Sequence, residues 1–172
     1  MNRIAKRSQC HAGFSLTELL VVLCGMAIIS GIGVPVVGTM LDHYGVVLAA
    51  QEITSQMQFA RMKAVSSNES LRVHFLAGTN SYQIETSTGA LFSGPHTLPR
   101  GISYNAGDGG NAISFPGEYV TFLPTGNVPA TGTGSAGRVK IINRSGIRVD
   151  VVVTPGGMVR PTTAYKTGSP PF

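Results

Sequence analysis

Charge is scarce in this sequence: Asp, Glu, Lys and Arg make up 12% of its 172 residues. There is no tryptophan, and the only cysteines are Cys10 and Cys24. Both precede residue 42, so the remainder can close no internal disulfide and holds no thiol for nucleophilic work. His43, His74 and His96 lack the close spacing that places two metal ligands on one element, and no G-x-S-x-G nucleophile elbow is present. The expectation is a non-enzymatic protein with no catalytic residue, cofactor or metal. Gly132–Gly137 does have G-x-G-x-x-G spacing. However, Arg138-Val139 follow where a P-loop needs Lys and then Ser or Thr, and a strand pattern follows where a dinucleotide site needs a helix N-terminus. We read that stretch as a loop.

Charge is missing altogether between Glu18 and Asp42. The apolar run from Gly13 to about Met40 predicts a membrane-embedded helix, and a lone acid near the end of such a helix points to function. Arg3, Lys6 and Arg7 lie just upstream and by the positive-inside rule stay cytoplasmic. A secretory signal peptide or a plain single-pass anchor accounts for the apolar run but leaves Glu18 unexplained.

The second half changes period. Val46, Ala50, Ile53, Met57, Ala60 and Ala64 form one helical stripe, so a helix is predicted from about Phe14 to Ser67, flexible near 35–45 where Pro35, Gly38 and Gly45 weaken it. Alternation then predicts strands at Leu71–Phe75 and Tyr82–Glu85, with shorter ones near Ala90–Phe92, Gly101–Tyr104, Ala112–Phe115 and Tyr119–Leu123. A hairpin follows, Arg138–Asn143 and Ile147–Thr154, and then a short strand, Met158–Arg160. Pro124–Gly137 is expected to be mobile and Pro161–Phe172 loosely ordered.

Two sets of residues resemble a known superfamily. A short basic leader ending at Gly13, followed by Phe14-Ser15-Leu16-Thr17-Glu18-Leu19-Leu20-Val21-Val22, resembles the processing signal of type IV pilins and type II secretion pseudopilins. Gln58-Phe59-Ala60-Arg61-Met62-Lys63-Ala64-Val65, Val120–Gly126 with its F-x-P-x-G ending, and Val151–Arg160 are similar to motifs of the GspH/FimT branch. The resemblance implies a pilin-like α+β fold, in which a long N-terminal transmembrane helix continues into a soluble half packed on antiparallel sheet. It divides the chain into a cleaved leader at 1–13, a transmembrane assembly helix at 14–41 and a periplasmic domain at 42–172.

The resemblance also implies that a prepilin peptidase cuts after Gly13 and methylates the new amine of Phe14. Glu18 becomes the acid at the fifth mature position and Pro35 the helix-kinking proline. In a filament core the Glu18 carboxylate meets the positive amine of a neighbouring Phe14, which neutralises two charges that hydrocarbon penalises. Loss of Arg3, Lys6 and Arg7 takes the formal charge from +5 to +2. The absence of a C-terminal disulfide, which many major pilins have, favours a minor subunit.

The expected function is a minor pseudopilin of a type II secretion system, in the inner membrane with its C-terminal domain in the periplasm. Its partners are the prepilin peptidase, other pseudopilins or pilins, and the inner-membrane assembly platform. The alternative is a FimT-like minor pilin that primes a type IV pilus or binds DNA for uptake. Arg138, Lys140, Arg144, Arg148, Arg160 and Lys166, set against Asp150 alone, are the candidate DNA contacts. Val139, Ile141, Val149, Val151 and Val153 are expected to face the core, leaving Arg138, Lys140, Arg148 and Asp150 outward.

Overall fold

The computed structural model describes residues 14–105 and 110–166, with the side chains of 32–39 left undescribed. The first element of the described residues is one helix, α1 (Leu16–Ser67). It passes through two compact units, residues 1–39 and 40–172, which are taken in turn.

In the first unit Ser15 accepts the amides of Glu18 and Leu19 at 3.0 and 3.1 Å and starts the helix. Glu18 lies in the first turn, where the partial positive charge of the helix terminus favours a carboxylate. Apolar side chains are exposed around the helix, from Leu16 and Leu19 to Met26, Ile28 and Ile29. Among the described residues no helix is long and apolar enough to cross a membrane. The apolar run of the sequence continues through residues 32–39, which lie outside that statement. The predicted helix therefore stands, one or two residues shorter at its start, and it continues through Pro35.

In the second unit, α1 ends as Asn68 takes a left-handed φ of 53° and Glu69 N–H bonds back to the Ala64 carbonyl at 3.2 Å. Among the described residues nine strands follow: β1 (Leu71–Leu76), β2 (Ser81–Thr86), β3 (Leu91–Thr97), β4 (Ile102–Tyr104), β5 (Tyr119–Phe122), β6 (Gly137–Asn143), β7 (Ile147–Val153), β8 (Val159–Pro161) and β9 (Tyr165–Lys166). They form two sheets, ordered β3-β2-β1-β5 and β4-β6-β7-β8, with β9 also on β7. Every strand pair is antiparallel.

The stripe read from the sequence is buried: Val46, Ala50, Ile53, Met57, Ala60 and Ala64 belong to one core with the inner faces of both sheets. Phe75 supplies the aromatic centre, stacked on Phe115 at 5.6 Å and edge-on to Tyr104 at 6.0 Å.

Three expectations need correction. Ala112–Phe115 is not a strand; only Ile113 bridges to Val139. Pro124–Gly137 is tied down rather than mobile: Val128 N–H reaches the Pro155 carbonyl, Thr121 and Gly134 pair, and Val128 and Ser135 are buried. The segment after Pro161 is ordered as far as Lys166, because β9 pairs with Ile147 and Arg148 of β7. Turn-rich composition concealed these bonds, since their partners are distant in sequence.

Candidate functional site

The processing and assembly residues lie in the first unit. Gly13 and the rest of the leader are outside the described residues, as is the Pro35 side chain. Phe14 is 81% exposed, and Glu18 is exposed in a helix whose exposed neighbours are mostly apolar, among them Leu16, Leu19 and Leu20.

The basic face lies in the second unit, on the side of the β6–β7 sheet away from the core. Val139, Ile141, Val149, Val151 and Val153 do face inward and are buried. On the other face Lys140 stands opposite Asp150, while Arg138 and Arg160 flank Val152 from either side. Arg138 and Arg160 are exposed and Lys140 is half-buried.

Arg148 does not join them as an available cation. Its side chain is 9% exposed and that of Asp150 is 4%. Arg148 Nε lies 3.1 Å from Asp150 Oδ1 and donates to Tyr165 Oη at 2.5 Å, with its guanidinium 4.8 Å from the Tyr165 ring centre. Tyr165 Oη donates in turn to Asp150 Oδ1 at 3.2 Å. Thr162 exchanges two bonds with the Asp150 main chain. Burial pushes the Tyr165 phenol up; the Arg148 hydrogen bond opposes this and the Asp150 charge adds to it. Arg148 and Asp150 are therefore outward on the strand yet covered by the segment that ends in β9.

Arg144 is also apart. It lies in the β6–β7 turn, six residues from Arg138 and so about 20 Å along the strand. Lys166 is exposed beside Ile147, at the same end of β7. The six bases thus divide into an outer-face group of exposed Arg138 and Arg160 with half-buried Lys140, a buried Arg148, and two at the turn end.

A second polar cluster carries no sequence signature. Glu85, 5% exposed, accepts from Arg72 Nε at 2.6 Å and Gln83 Nε2 at 2.6 Å, and lies 3.1 Å from His74 Nδ1. Burial alone would raise its carboxyl. Hydrogen bonds from Gln83, His74 and Arg72, with the Arg72 charge, outweigh that and hold it below the ordinary carboxylate value.

The motif residues meet at one place. Arg61 of α1 donates from Nε to the Gly126 carbonyl at 2.7 Å and from Nη2 to the Gly156 carbonyl at 3.4 Å. A Cβ on Gly157 would stand 2.0 Å from the Gly126 oxygen. The helix motif, the F-x-P-x-G loop and the closing glycine turn thus meet in a single knot around Arg61.

Residues 49–157 match the family described as type II transport protein GspH. The chain belongs to the GspH family. Membership makes it a minor pseudopilin or pilin, a structural subunit rather than an enzyme, whose partners are other subunits of that kind. The match includes all three segments joined by Arg61 and most of the basic hairpin's sheet.

Among solved structures the GspH-family chain is similar to the type IV minor pilin FimU of Pseudomonas aeruginosa PAO1, with a TM-score of 0.53 and 14% identity over 74% of this chain and 98% of that one. It is also similar to the minor pseudopilin EpsH of the type 2 secretion system of Vibrio cholerae, at 0.49 and 13% over 69% and 96%. At these identities the FimU likeness shows the pilin-like α+β fold alone, and the EpsH score is too low to add to it. No curated protein matches the sequence.

Proposed function

We propose that the chain is a minor pseudopilin of a type II secretion system, made as a precursor and cut between Gly13 and Phe14. The observation that carries this reading is the first unit's helix. A helix apolar on all sides is stable only inside a bilayer or among other helices, and Phe14, Leu16, Val21 and Ile29 are all more than 65% exposed. Membrane insertion of residues 14–41 covers that surface before assembly, and a filament core covers it afterwards. Glu18 then pairs with the methylated amine of a neighbouring Phe14 and sets axial register, while Pro35 bends the helix.

The periplasmic domain, 42–172, gives the subunit its place in a short filament anchored on the inner-membrane platform. Deletion of the gene tests the machine. Loss of secretion of a known exoprotein with piliation intact is the expected outcome, and undiminished secretion overturns the reading.

The second reading is a FimT-like minor pilin. It is favoured by exposed Arg138 and Arg160, together with half-buried Lys140, on one sheet face. If that face binds DNA, affinity falls steeply with salt and is lost in an Arg138→Ala/Lys140→Ala/Arg160→Ala variant. Arg148 is left out of this test because its removal strands a buried Asp150. No binding at low salt removes the DNA role.

A further inference from the structure

Leu41, Asp42, Arg100, Gly101, Asn143 and Arg144 line most of a groove of about 270 Å³ in the second unit. Its two cations, Arg100 and Arg144, are exposed, and among the described residues neither has a carboxylate partner. The acid in the groove, Asp42, is engaged: Ser145 Oγ donates to its carboxylate and Asn143 Nδ2 donates to its main-chain carbonyl at 2.7 Å. These two bonds tie the β6–β7 turn to α1. They also fix Arg144, whose Nε lies 3.8 Å from where a Cβ on Gly101 would stand.

The position in the chain gives the groove its meaning. Asp42 is the first charged residue after Glu18. Leu41, on the groove wall, is the last residue of the proposed anchor. Around it Met40, Leu41 and Tyr44 are 56%, 66% and 61% exposed, an apolar and aromatic collar of the kind found at the headgroup level. Because Leu41 itself lines the groove, the two guanidinium groups stay beside the point where the anchor leaves the bilayer.

We propose that Arg100 and Arg144 form a headgroup site for the phosphate of an anionic phospholipid in the leaflet from which the domain emerges. The inference rests on the anchor reading above. The site holds the free subunit against the membrane at a defined depth before it enters a filament. With Asp42 offsetting part of the charge, the two arginines give a preference for anionic over zwitterionic lipid on the order of ten-fold.

The test uses the full chain in nanodiscs of mixed phosphatidylglycerol and phosphatidylcholine. Insertion is scored first by co-elution with the disc, and the lipids retained on the released protein are then counted by native mass spectrometry. The expected result is a ratio of phosphatidylglycerol to phosphatidylcholine on the protein that exceeds the ratio in the disc on the order of ten-fold, falling close to the disc ratio in Arg100→Gln/Arg144→Gln. An Arg138→Gln/Lys140→Gln control keeps the enrichment, and thermal melts establish that both variants are folded. Equal enrichment in the native chain and Arg100→Gln/Arg144→Gln overturns the proposal. So does enrichment abolished by excess inorganic phosphate, which marks a small-anion site. A chain that does not co-elute with the disc overturns the anchor reading and this inference with it.

Discussion

Gly157 has no room for a side chain. It sits at φ +72°, in the left-handed region, with the Gly126 carbonyl oxygen 2.0 Å from any Cβ built there and Arg61 Nε 3.1 Å away. Gly157→Ala is therefore expected to cost at least about 2 kcal/mol, read as a lower urea midpoint; an unchanged midpoint would remove the knot argument. Asp150 is the other decisive residue. It is the buried acid that neutralises Arg148, while Arg138 is 55% exposed and only 3.9 Å away at its nearest. Asp150→Ala strands a buried guanidinium and should cost about 3–5 kcal/mol. Arg138→Gln removes an exposed partner and should cost no more than about 1 kcal/mol. Equal losses from the two would mean that Arg148 is satisfied by Tyr165 alone.

At the scale of an element, the outer face of β1 and β2 is organised by Glu85. Its carboxyl lies below the ordinary value in the folded state, so its stabilisation is present above the unfolded-state pKa and disappears as pH falls through the folded one. The native protein should lose stability on acidification below about pH 4. Glu85→Gln should be less stable at neutral pH and show a shallower acid dependence, and parallel curves for the two would rule Glu85 out as the source. The β9 strand acts on β7 in the same non-local way. Two residues suffice because Tyr165 places its ring and hydroxyl on Arg148 and Asp150.

For the whole molecule, the test is passage from precursor to filament. Gly13→Asp should block processing, and a mature product of normal length from that variant would refute the cleavage site. Glu18→Ala should be cut normally and fail to enter filaments, because the neighbouring amine then lies unpaired in an apolar core. Wild-type incorporation would leave register to packing alone. Separate behaviour of these two variants distinguishes peptidase recognition from assembly, two roles that fall within six residues of each other.

The sequence by itself determined the elements whose signals are local. The 3.6-residue stripe from Val46 to Ala64 and the alternation in β1, β6 and β7 are periodic, and burial of one face follows directly from period. Only the tertiary structure decided what covers the other faces. Alternation places Arg148 and Asp150 outward, and they are; nothing near them in sequence shows that Tyr165 returns to bury them. Arg144 reads as one more base of a hairpin cluster, yet the bonds from Asn143 and Ser145 to Asp42 carry it to Arg100 instead. Arg61, Gly126 and Gly157 were legible as motif residues without a role, because the role is a contact between a helix and two turns distant from it in sequence. Periodicity reports how a segment meets its own backbone geometry, whereas burial of a charge depends on which remote segment closes over it.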